Sequence, residues 1–116
     1  MTRKQWKELT PEEQRIKVAE LCGWTDCQRI VQTCDAPRGI HPQHAHKRIW
    51  HRVIPDYLND LNAMHEAVCN QGIPFCISFY HSLLTVIGHH DHMEMEAVIA
   101  TAAQRAEAFV LAMELR

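Results

Sequence analysis

Two histidine-rich stretches hold the residue types best able to do chemistry in this chain, which carries nine histidines. The first contains His41, His44, His46 and His51. On an extended strand, His-x-His places both imidazoles on one face. His44 and His46 could therefore share zinc or another borderline cation, with Cys34, Asp35 or His41 completing the shell. The second is the polar turn His89-His90-Asp91-His92, with His81 ahead of it. Adjacent side chains in a turn point apart, so at most two of these, His89 and His92, are set to meet at one ion. The bland alternative for both stretches is a solvated loop; no cofactor is the expectation and Zn or Mn the alternative.

The first stretch also suits an anionic ligand. Arg38, His46, Lys47, Arg48, His51 and Arg52 supply hydrogen-bond donors, and Trp50 a large aromatic face, enough to clamp phosphates and stack one base. Metal and phosphate compete for the same imidazoles, because a metal-bound histidine must be neutral and a phosphate donor is better charged. Against this stands a basic surface loop with Trp50 tucked into the core.

Catalytic signatures are few. There is no H-E-x-x-H, G-x-S-x-G, P-loop or G-x-G-x-x-G, so no residue is assigned a catalytic role, and enzymatic activity is left open with binding preferred. The five cysteines, Cys22, Cys27, Cys34, Cys69 and Cys76, include no C-x-x-C pair and read as free, mostly buried thiols. His65 falls on the apolar stripe of its helix and reads as a core or interface residue.

These groups need a scaffold, and 116 residues with 47% hydrophobic content suffice for one packed domain spanning 1–116. The apolar runs are too short for a membrane span, and the basic start at Arg3 and Lys4 meets Glu8 and Glu12 before any apolar core, unlike a secretory signal. The expected location is the cytoplasm. A net charge of −2 argues against coating nucleic acid through bulk charge.

Thr10, Pro11, Glu13 and Gly23 punctuate an opening helix, with Trp24 folding back onto the core. A short strand is predicted over Cys27–Thr33, then a His/Arg-rich loop or flap over residues 35–52 that returns as a strand through Ile49–Ile54. Pro55 and Asp56 open a second helix carrying Leu58, Leu61, Met64, His65 and Val68, which ends at Asn70-Gln71-Gly72. Pro74–His81 alternates Phe75, Ile77 and Phe79 with Cys76, Ser78 and Tyr80, the period of a strand. Leu83–Ile87 is a further apolar run, and Met93–Ile99 reads as the returning strand of a hairpin. Thr101 and Gln104 open a final helix. The order predicts an α+β fold, a small antiparallel sheet packed with three helices as an α/β sandwich.

The segments Ile16–Asp26 (IKVAELCGWTD), Ile54–Val68 (IPDYLNDLNAMHEAV) and Thr101–Val110 (TAAQRAEAFV) resemble the phage ABA sandwich domain of small bacteriophage and prophage proteins. The resemblance covers about two thirds of the chain. It implies a phage source and an α/β sandwich, and brings no catalytic residues; the histidine-rich segments depart from it.

The expected function is that of a phage accessory binding protein. Its sharpest form is a homo-oligomeric counter-defence protein that sequesters a nucleotide immune signal in the host cytoplasm. Two alternatives are a metal-dependent phosphodiesterase acting on such a nucleotide, and an inhibitor that blocks a host defence enzyme by surface contact.

Overall fold

The computed structural model describes residues 1–28, 36–42, 52–88 and 100–115. Among these lie five helices and three short strands: α1 (Arg3–Glu8), α2 (Pro11–Leu21), β1 (Thr25–Gln28), β2 (Arg38–Ile40), β3 (Arg52–Val53), α3 (Leu61–Cys69), α4 (Ile73–Ile87) and α5 (Ala102–Glu114). This is an α+β fold with a small antiparallel sheet of order β1-β2-β3. No helix of the described residues is long and apolar enough to cross a membrane.

Local capping sets the helix starts. Thr2, Thr10 and Thr101 each accept from the backbone N–H three residues on, and Gln5, Glu13 and Gln104 reach back to the cap N–H, closing three capping boxes. α2 ends in a Schellman motif: Trp24 N–H donates to the Ala19 carbonyl at 3.0 Å and Gly23 N–H to Glu20 at 3.1 Å. Gly23 sits at φ +99°, a conformation that side chains with a Cβ rarely adopt.

The core is mainly helix on helix, with α4 against α5 as the principal contact, and the sheet meets the helices through α2. Phe109 of α5 is fully buried and packs edge-on to Phe75 of α4 at 5.5 Å, while Phe75 stacks on Phe79 at 6.4 Å. Arg3 Nε donates to the buried Glu107 carboxylate at 3.1 Å, and Arg3 Nη2 to the Val86 carbonyl at 3.3 Å, tying α1 to α5 and to the end of α4. Lys17 of α2 bridges Glu114 at 3.0 Å.

Several sequence expectations need correction. Pro74–His81, expected as a strand, lies within α4, and so does Leu83–Ile87. On a strand Phe75, Ile77 and Phe79 would share one face. Here Phe75 and Phe79 are 3% and 8% exposed and Ile77 is 60% exposed. Positions 75, 79, 82 and 83 instead form a helical stripe that buries against α5. A continuous apolar run satisfies both periods, and packing selects one. With α4 and the unpredicted α1, the described helices number five where three were expected.

The middle helix starts six residues later than Pro55, at Leu61. Asp60 caps it by accepting from Asn62 N–H at 2.9 Å and Ala63 N–H at 3.3 Å, and residues 55–60 form the preceding turn. Of the strand expected over Cys27–Thr33, Cys27 and Gln28 lie in β1, which begins earlier at Thr25 and carries a bulge where Asp26 adopts φ +50°. Of the strand expected through Ile49–Ile54, Arg52 and Val53 form β3. The strand expected over Met93–Ile99 lies outside the described residues.

Candidate functional site

A cleft of about 440 Å³ opens between the end of α2, the start of the sheet and one face of α3. Each wall follows from local structure. The Schellman turn at Gly23 swings Trp24 off α2 and into the core, where it is 6% exposed. Antiparallel pairing of Thr25 with Ile40 then brings His41 beside Trp24, with ring centroids 5.1 Å apart and planes at 71°, an edge-to-face contact. Pro42 lies over Gly23, so that a Cβ there would stand 3.3 Å from Pro42 Cγ.

The opposite wall is the turn 55–60 and α3. Arg15 on α2 holds this turn by donating from Nε to the Pro55 carbonyl at 3.0 Å and from Nη2 to the Ile54 carbonyl. Tyr57 is thereby placed at the floor, 5% exposed. On α3, Ala63, Glu66, Ala67 and Asn70 follow helical spacing along the cleft, and the two alanines leave the room that larger side chains would fill.

A chain of hydrogen bonds ties the floor together: the Trp24 indole N–H, which can only donate, bonds the Tyr57 hydroxyl, and Tyr57 bonds the Cys22 thiol. Burial pushes the Cys22 thiol up to about 11, opposed in part by its bond from Tyr57. The Tyr57 phenol is also raised, first by burial and then by the charge and hydrogen bond of Cys22, with Glu66 adding to the shift. Both groups stay protonated at neutral pH, so they offer hydrogen bonds and not an activated nucleophile. Cys27, beneath Gly39 on the sheet, is pushed to about 11 by burial and by the charges of Glu20 and Asp26.

The ionisable side chains at the cleft are mostly acidic. Asp60 and Glu66 line it, His41 is the one imidazole among the described lining residues, and no lysine or arginine of the described residues lines it. Asn62, Asn70 and Gln71 add amide donors and acceptors. Such a lining favours a neutral or cationic ligand surface rich in donors over a bare phosphate.

Of the residues assigned from sequence to an anionic ligand, Arg38 and Arg52 lie within the described residues. Arg38 pairs with Val53 and Arg52 with Gly39, so the two arginines project from opposite faces of the sheet. His46, Lys47, Arg48, Trp50 and His51 lie outside the described residues. So do His44, His89 and His92 of the metal reading. Among the described residues no three His, Cys, Asp or Glu side chains are grouped to hold a metal ion.

His65, expected as a core or interface residue, is exposed and not part of the core; the buried stripe of α3 is Met64, Ala67 and Val68. Sequence reasoning did not single out Cys22, Tyr57, Asp60, Glu66 or Asn70 as a site. Its one usable signal was the Gly23-Trp24 helix stop, which places an aromatic ring where the cleft forms. No family model, no curated protein and no solved structure matches the chain.

Proposed function

We propose that this chain is a small ligand-binding protein whose cleft takes a nucleotide-type molecule by its base and sugar. The observation that carries the reading is the convergence of Trp24, His41 and Tyr57 with Glu66, Asp60 and Asn70 on one cleft of about 440 Å³, a volume ordinary for small-molecule sites. A base edge presents both donors and acceptors, which the amides can match. Ribose hydroxyls and exocyclic amines donate, which the carboxylates accept. Among the described residues the cleft lining offers no lysine or arginine for phosphates; in the sequence the rim residue Pro42 is followed by His46, Lys47 and Arg48, the cationic residues assigned to an anionic ligand.

Together with the phage-like motifs, this supports a counter-defence protein that sequesters a nucleotide immune signal in the host cytoplasm. Isothermal titration with nucleosides, mononucleotides and cyclic dinucleotides tests it. Saturable heat is expected, and Glu66→Ala or Asn70→Ala should weaken binding by roughly tenfold, or about 1.4 kcal/mol. Silence from all three ligand classes, or affinity unchanged in both variants, would remove the cleft from the function. Native mass spectrometry of protein recovered from phage-infected cells tests sequestration: an intact nucleotide supports it, and ligand turnover with added Zn or Mn replaces it with the hydrolase reading.

A further inference from the structure

One pair of side chains outside the cleft is already arranged for coordination chemistry. His65 and Cys69 stand one turn apart on α3, both exposed, and His65 Nε2 lies 3.5 Å from Cys69 Sγ. Zinc binds thiolate sulfur at about 2.3 Å and imidazole nitrogen at about 2.0–2.1 Å, so at a tetrahedral angle the two donor atoms lie about 3.6 Å apart. The observed separation matches that edge of the coordination tetrahedron. We propose that His65 and Cys69 form a two-ligand surface site for a thiophilic divalent cation such as Zn²⁺, with water in the remaining positions.

The chemistry fits the pair. Thiolate and imidazole together select zinc-like cations over magnesium or calcium, which prefer oxygen. Binding replaces the Cys69 Sγ–H proton by the metal and releases that proton to solvent, so affinity rises with pH. The helix holds both ligands in place before the ion arrives, which lowers the ordering cost that a flexible loop would carry. Glu66, next to His65, lines the cleft and His65 and Cys69 do not, so the metal pair lies beside the cleft on α3.

Cobalt(II) titration of the full chain under reducing conditions tests the site. A thiolate-to-cobalt charge-transfer band in the near ultraviolet is expected, and zinc should bleach it by competition. Cys69→Ser should abolish the band. His65→Ala should weaken cobalt binding by at least the roughly 10- to 100-fold that loss of a ligand's outer hydrogen-bond partner costs. Both positions are exposed, so circular dichroism and Tm should match the parent. No band, a band that survives Cys69→Ser, or equal affinity in His65→Ala overturns the assignment.

Discussion

Replacing Gly23 by alanine tests the junction on which the cleft depends. The residue sits at φ +99° at the C′ position of α2, and its missing Cβ faces Pro42 Cγ at 3.3 Å. Where φ is negative, Gly→Ala stabilises a protein by about 0.4–1 kcal/mol, because the unfolded chain loses freedom. At Gly23 the sign reverses. Left-handed backbone costs a side chain with a Cβ about 1–3 kcal/mol, and Pro42 must give way by a few tenths of an ångström. At about 2.1 cal/mol/K per residue for unfolding entropy, that loss lowers Tm by roughly 4–12 °C in a chain of this size. Urea unfolding followed by far-ultraviolet circular dichroism measures the loss as a lower midpoint at unchanged m. Because Trp24 and Pro42 both move with this residue, nucleotide affinity should fall in parallel. A Gly23→Ala protein as stable as its parent would refute the claim that the Schellman turn and its contact with Pro42 hold the cleft open.

Other outcomes follow from the core and from the titrating groups. Phe109→Ala, which empties the fully buried contact with Phe75, should cost about 3–5 kcal/mol by the same urea assay. Arg3→Ala strands the buried Glu107 carboxylate and should cost about 1–2 kcal/mol, less than a fully buried pair because Arg3 is 41% exposed; adding Glu107→Gln should restore part of it. Cys22 and Cys27 are raised from 9.0 to about 11 in the folded state, so their contribution to stability is full below pH 9 and is lost as pH rises through about 11. Chemical denaturation from pH 8 to 11 should show that decline, and Cys22→Ala should flatten it. Glu114 shifts the other way: the Lys17 hydrogen bond and charge hold its carboxyl below the ordinary range. Its contribution is therefore present above the usual carboxylate pKa and lost in acid, and Glu114→Gln should reduce acid sensitivity. Iodoacetamide followed by peptide mass spectrometry should label exposed Cys69 well before Cys22 or Cys27.

The parts of the fold legible in the sequence are those encoded within one turn of chain. Thr10 with Glu13 and Thr101 with Gln104 mark helix starts because a hydroxyl and a side-chain carbonyl three residues away satisfy backbone N–H groups locally. Gly23 marks a stop because only a residue without a Cβ takes its φ cheaply. No distant partner is needed for either, so α2 and α5 could be read directly. The period of residues 73–87 could not. Phe75, Ile77 and Phe79 fit a strand or a helix equally, and what chose the helix was α5, whose Phe109 fills the space between Phe75 and its neighbours.

The cleft lies wholly on the side of tertiary structure. Trp24, His41, Tyr57 and Glu66 are spread along the chain and share no motif. They meet because an antiparallel pairing, a helix stop and the Arg15 guanidinium on the Ile54 and Pro55 carbonyls bring three segments together. The same packing decides chemistry that residue type leaves open: burial keeps the Cys22 thiol protonated, and the helix rotation that buries Met64, Ala67 and Val68 turns His65 outward to meet Cys69. Residue type supplied the donors, and the sum of distant contacts determined which of them face each other.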